Sequence, residues 1–338
     1  MAVATETLGK SEEITPVAIP TTKPSYSLWG LAFRRFLRHR AAVAGMIGLA
    51  LIFLFAFGGS LFYTEKYANT PDVLNRLQAP SWLQDPPTWE HPMGTDSVGR
   101  DVLARMIYGG QISLIIGFAS VLLAVTIGAV IGALSGYYSG SVDSILMRLT
   151  EAMIAIPSLF FLIIISKMLI GSVPNISFAG RSLSGSVPIV IFVIAIFGWM
   201  VEARIVRSQF MSLKQQEFIT AARAIGVKDN NIMWKHILPN SIAPIVVFAS
   251  LGLATAILTE AYVGFLGLGV QEPTASWGNI LNQALSYLNR AFAPIDFIHR
   301  GVWWLWLFPS LAIILTVLCV NFIGDGLRDA LDPRGLVD

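Results

Sequence analysis

Between Arg105 and Asp143 lie 37 consecutive residues without a charge, Met106 to Val142. A bilayer core is roughly 30 Å thick and a helix rises about 1.5 Å per residue, so a span needs roughly 20 apolar residues. This run is long enough for a span and its flanking turns, and five other segments approach the same requirement. Ala41 to Phe62 is the first in the chain and the long run holds the second. The third is weaker, Ala152 to Ser166 followed by Lys167 and apolar residues to Ile170, where Lys167 can snorkel to an interface. Val187 to Val201 gives a fourth, Ile242 to about Leu266 a fifth interrupted by Glu260, and Gly301 to Gly324 a sixth. With 54% hydrophobic and 13% charged residues and a mean hydropathy of +0.66, the chain is predicted to be an all-α integral membrane protein with six transmembrane helices.

The opening 25 or so residues, rich in Thr, Pro and Glu, have too few apolar groups to offset the entropy of ordering and read as a disordered tail. Arg34, Arg35, Arg38, His39 and Arg40 then precede the first span, which is too long and too far from the start for an ordinary cleaved signal peptide and reads as a retained anchor. With the N-terminus inside, 15 of the 23 Lys and Arg fall in inside segments and seven in outside loops. The positive-inside rule therefore places both termini in the cytoplasm.

Chemistry is sparse. The single cysteine, Cys319, excludes an intramolecular disulfide and a cysteine metal knuckle. His39, His91, His236 and His299 match no paired ligand spacing, and no GxSxG or facing aspartate pair lies in an apolar run, so an enzyme has little support. Gly9, Lys10 and Ser11 imitate the end of a phosphate-binding loop, but Ala4 stands where that loop needs its first glycine. ATP-driven work would thus require a separate subunit. The near balance of charge gives no sign of a nucleic-acid partner. Glu151, Glu202 and Glu260 sit near span ends or turns and read as headgroup-level or helix-terminal carboxylates rather than a proton relay.

Ser120, Ala124, Gly128, Gly132, Gly136 and Gly140 recur every four residues, a stripe that lets another backbone approach, either within the chain or from a second subunit. Pro157 and Pro309 should bend the third and sixth spans. Outside, His91, Asp96 and Asp101 are the residue types of a metal site, but Pro92, Gly94 and Gly99 favour a loop capped by Asp96. Asp325, Arg328, Asp329 and Asp332 are spaced for ion pairs on one helical face. In the largest inside loop, Ala221, Ala222 and Ala224 favour a short helix from Glu217, Gly226 permits a tight turn or close partner contact, and Pro239 restarts a helix at the fifth span.

That loop, Glu217-Phe-Ile-Thr-Ala-Ala-Arg-Ala-Ile-Gly226 through Leu238-Pro239, resembles the EAA loop of permease subunits in binding-protein-dependent ABC importers. Ala221, Ala222, Gly226, Leu238 and Pro239 match at the family spacing, within a segment that includes Glu217 and Arg223. Thr220 replaces the leading Glu and His236 the usual Ile, both tolerated in the peptide and nickel permeases. His91 to Asp101, Gly264 to Gly269 with Trp277-Gly278, and Asn321 to Arg334 look like the same subgroup, most closely its C-type subunit. The resemblance implies a five-helix core, residues 106–326 with a coupling loop at 204–241, preceded by a tail (1–40) and an added span with external segment (41–105), and followed by a tail (327–338). It implies a bacterial or archaeal cell membrane, a second homologous permease, two ATPase subunits carrying ATP and Mg2+, an extracytoplasmic binding protein, and no cofactor or metal in this chain. Peptides are the favoured cargo, with nickel chelates or oligosaccharides as alternatives. Outside the family, a stand-alone carrier or channel, or a scaffold without transport, stays open.

Overall fold

The computed structural model describes residues 28–169, 171–178, 181–287 and 301–331. The expected disordered tail, Gly9 to Ser11, His299 and Asp332 lie outside them. The elements are α1 (Leu28–Arg38), α2 (Arg40–Phe53), α3 (Glu65–Asn69), α4 (Val102–Tyr138), α5 (Gly140–Ile154), α6 (Ser158–Leu169), β1 (Ile176–Phe178), β2 (Arg181–Leu183), α7 (Ser186–Leu213), α8 (Glu217–Ala224), α9 (Asp229–Asn231), α10 (Leu238–Phe265), α11 (Trp277–Leu285) and α12 (Trp304–Leu331). The two strands form one short antiparallel hairpin, with Ile176 opposite Leu183.

Among the described residues, five helical segments are long and apolar enough to cross a membrane: Arg40–Leu61, Val102–Tyr138, Ser186–Leu213, Asp229–Phe265 and Trp304–Leu331. The pair α5 and α6 makes a sixth only if taken together, bent by 83° at their break. The expected third span, 152–170, is therefore not one straight helix. Pro157 stands in the break, where it lacks a donor and forces the preceding residue away from helical geometry. A second correction concerns Pro239. The helix does not restart there but begins at Asp229 and runs through a wide π turn, Ile232–Ile237, into α10. The widened turn accommodates a ring that cannot donate to the preceding turn.

At about 1.5 Å per residue α4 is about 55 Å long, so its two ends define two distinct ends of the molecule. Its N-terminus is capped by Asp101, whose Oδ1 accepts from Ala104 N at 2.7 Å. The small-residue stripe is consumed inside the chain, along the seam of α4 with α7. A Cβ on Gly128 would fall 2.6 Å from Glu202 Cβ, and one on Gly136 2.6 Å from Arg207 O. Ser120 Oγ donates to Ile191 O at 3.3 Å on the same seam. Gly140 departs from the expectation: its φ is +57°, it starts α5, and nothing approaches its α-carbon's open side. A second seam, unremarked in the sequence, joins α2 to α12, where a Cβ on Gly45 would meet Cys319 O at 2.6 Å.

The end formed by residues 62–101 is a folded cap. Trp304 Nε1 donates to Thr95 O at 3.0 Å, and Trp277 Nε1 donates to Met106 O at 3.0 Å. Both indoles are buried, so each polar edge is satisfied while the ring fills the core.

Candidate functional site

At the far end of α4 the sequence motif becomes a bracketed helix. In α8 only Ile219 and Ala222, three residues apart and so on one face, are buried, and Ile219 packs into the core of Ala133, Val206, Phe210, Ile232, Met233 and Ile237. Glu217, Thr220, Ala221 and Arg223 are exposed, as are Phe218 at 45% and Ile225 at 81%. The helix ends in a Schellman arrangement: Gly226 N donates to Arg223 O at 2.9 Å and Val227 N to Ala222 O at 3.1 Å. Gly226 has φ +80° with open space on its Cβ side, so the residue serves the turn and makes no close contact within the chain. His236 and Leu238 are half-buried and Pro239 is exposed, on the far side of the turn.

Two polar clasps fix this region to the long helices. Tyr137, at the end of α4, donates from Oη to Asp229 Oδ1 at 2.5 Å. Lys214 Nζ donates to the Tyr137 carbonyl, and the Arg223 guanidinium lies 5.7 Å from the Tyr137 ring centroid. One tyrosine thus joins α4, the end of α7, α8 and α9. In the second clasp Arg207 donates from Nε and Nη2 to the two oxygens of Asp143 at 2.5 and 2.6 Å, and Ser135 hydrogen-bonds the same carboxylate. This forked pair ties α5 to α7 and α4. Neither clasp was recognised in the sequence, because partners 64 and 92 residues apart leave no local pattern.

Between α4, α6, α7 and α10 lies a cavity of about 340 Å³. Its walls include Ser120, Leu162, Phe197, Glu202, Thr255 and Thr259. Glu202 is 7% exposed and its Oε2 has no hydrogen-bond partner. Glu260 is fully buried near Ser113 and Ser276, which corrects the headgroup-level reading for both residues. Glu151 alone of the three is exposed. The error has one cause: helix packing around a carboxylate cannot be read from its distance to a span end.

At the cap end, the residues with metal-ligand chemistry are spent on one another. His91 Nδ1 lies 2.9 Å from Asp101 Oδ2. Asp96 accepts from Val98 N and Arg100 N at 3.0 and 2.9 Å, the loop-capping role expected of it. Glu272 is gripped by two arginines, Arg100 Nη1 at 2.6 Å and Arg105 Nη2 at 2.8 Å, so the loop after α10 is locked to the cap. Burial pulls the Arg100 guanidinium down, but its bonds to Glu272 and Asp96 outweigh this and hold it above its ordinary value. Burial pushes the Asp101 carboxyl up, against the opposing Ala104 N–H and His91. Beside α1, Asp329 of α12 lies 3.4 Å from His39 Nε2, so one member of the expected ion-pair row engages another helix instead.

Comparison with known proteins places these features in a family. Residues 128–336 match the binding-protein-dependent transport system inner membrane component, and residues 27–80 match the N-terminal TM domain of oligopeptide transport permease C. The chain is 40% identical to the oligopeptide transport system permease protein OppC of Haemophilus influenzae, over 91% of this chain and 89% of the relative. It is equally 40% identical to the dipeptide transport system permease protein DppC of Alkalihalophilus pseudofirmus, over 91% and 90%, and 42% identical to OppC of Escherichia coli, over 91% and 92%. A bundle of long apolar helices, a small helix bracketed at one end and matches over both its N-terminal and main segments make this chain a member of the binding-protein-dependent transport system inner membrane component family, in its oligopeptide and dipeptide permease branch.

Proposed function

We propose that this chain forms half of the translocation path of an ATP-driven importer of di- or oligopeptides, paired with a second homologous permease. In this reading it crosses the membrane six times, α5 and α6 together making one bent span, with both termini and α8 on the cytoplasmic side. Residues 106–326 form the permease core and residues 41–105 the added span and external segment. The names of the relatives support the cargo, and the basic residues at the α8 end, Arg204 to Lys235, support the orientation.

The observation that carries the coupling role is the division of α8 into a buried face, Ile219 and Ala222, and an exposed apolar edge of Phe218, Ala221 and Ile225. An amphipathic helix seated by one face and exposed on the other suits docking into a groove on a cytoplasmic ATPase. ATP and Mg2+ belong to two such ATPase subunits. Their closure displaces α8, and the Tyr137 clasp and the packing of Ile219 carry that displacement into α4, α7 and α10. Cargo arrives from an extracytoplasmic binding protein.

The test is Ala221→Glu in the assembled, reconstituted complex. Because Ala221 is exposed, insertion and pairing with the second permease should be retained, while ATP-dependent peptide uptake falls at least tenfold. Uptake at the wild-type rate would overturn the coupling assignment.

A further inference from the structure

Resting on the importer reading, we infer that the cavity between α4, α6, α7 and α10 is a subsite for a cationic group of the cargo, with the Glu202 carboxylate as its counter-charge. Glu202 is 7% exposed, lines the cavity and keeps Oε2 without a partner. Among the described residues, no Lys or Arg contributes to the cavity wall. The nearby Arg207, five residues on, is committed through two nitrogens to Asp143, and Arg204 is exposed.

Of the four hydroxyls on the wall, the exposed Ser158 keeps its proton free and the other three are committed. Ser120 Oγ donates its proton to Ile191 O, Thr255 Oγ1 to Leu251 O and Thr259 Oγ1 to Thr255 O, at 3.3, 3.3 and 2.8 Å. Each of these three has spent its only hydrogen on a backbone carbonyl and keeps only acceptor lone pairs. The cavity therefore offers acceptors and a carboxylate, with Leu162, Phe197 and Val201 as apolar wall. That set is complementary to an ammonium, which carries three donors and no acceptor, and offers a carboxylate a single donor, the Ser158 hydroxyl, beside a like charge. A carboxylate in an apolar wall is costly to keep ionised alone, and an arriving cation removes that cost. Its volume, about 340 Å³, lies at the small end of ligand sites.

Glu202 lies 16 residues into the 28-residue α7, about 24 Å along the helix from Ser186. A cargo ammonium could have two sources, a peptide's N-terminus or a lysine side chain, and three probes separate them: trialanine, N-acetyl-trialanine and N-acetyl-Ala-Lys-Ala. Uptake into proteoliposomes holding the full complex is measured at equal occupancy of the binding protein, for wild type, Glu202→Gln and Glu202→Asp. The expected result is a tenfold or greater loss in Glu202→Gln for probes carrying an ammonium, a loss under twofold for N-acetyl-trialanine, and restored discrimination in Glu202→Asp. Loss confined to trialanine assigns the N-terminal amine, and loss confined to the lysine probe assigns the side chain. Equal loss for all three probes, or no loss, would overturn the inference while leaving the importer reading intact. ATP-dependent uptake of none of them by the wild type would overturn both.

Discussion

Gly226 and Asp101 show how single residues set the two ends of this molecule. At φ +80° Gly226 sits where an L side chain clashes with its own backbone, so Gly226→Ala should cost about 1 kcal/mol, felt locally in the α8 turn. Hydrogen exchange of residues 217–228 in the intact complex should rise, with the exchange of α4 unchanged. Asp101 caps α4 and faces His91. Asp101→Asn retains an oxygen for Ala104 N and should be mild, whereas Asp101→Ala should destabilise the cap by about 1 kcal/mol or somewhat more; thermal unfolding of the two variants checks the order. Such roles were partly legible in the sequence, because a glycine after an alanine-rich helix and an aspartate before an apolar run are local signals. The burial of Glu202 and Glu260 was not, since it depends on side chains from other helices.

The elements were legible in their number and less so in their continuity. Uncharged runs located α2, α4, α7, α10 and α12, because hydrophobic length is itself the physical requirement. The bend expected at Pro157 is a break of 83°, and the π turn before Pro239 extended a helix that proline was expected to start. Both depend on how neighbouring turns absorb a missing donor, which a proline alone does not specify. The stripe of small residues was visible, but its partner became known only when α7 appeared against it. Since a Cβ on Gly136 would fall 2.6 Å from Arg207 O and 2.7 Å from Phe210 Cβ, Gly136→Val should overpack the seam and cost about 1–3 kcal/mol. A lowered unfolding temperature of Gly136→Val would check that this seam is close-packed.

For the whole molecule, polar anchoring is concentrated at the two ends of a largely apolar bundle. At the cap end Glu272 holds both Arg100 and the fully buried Arg105. Glu272→Ala should leave Arg105 with the 3.6 Å approach to Asp96 and a long 3.5 Å bond to Asn69 Oδ1, and cost roughly 3 kcal/mol. Limited proteolysis within residues 62–101 should accelerate if that lock joins the cap to the core. At the other end, the Tyr137 clasp fastens α8 to α4 and the end of α7, and the Asp143 clasp ties α5 to α7 and α4; the proposed coupling would run through these contacts. The most direct test of that coupling's starting point is photo-crosslinking from α8 in the ATP-hydrolysing complex, with a benzoylphenylalanine at Phe218 or Ile225, at buried Ile219, or at exposed Tyr67 in the cap. Coupling through α8 predicts adducts with the ATPase from positions 218 and 225 and none from 219 or 67. An active complex that yields no ATPase adduct from either exposed α8 position would contradict it.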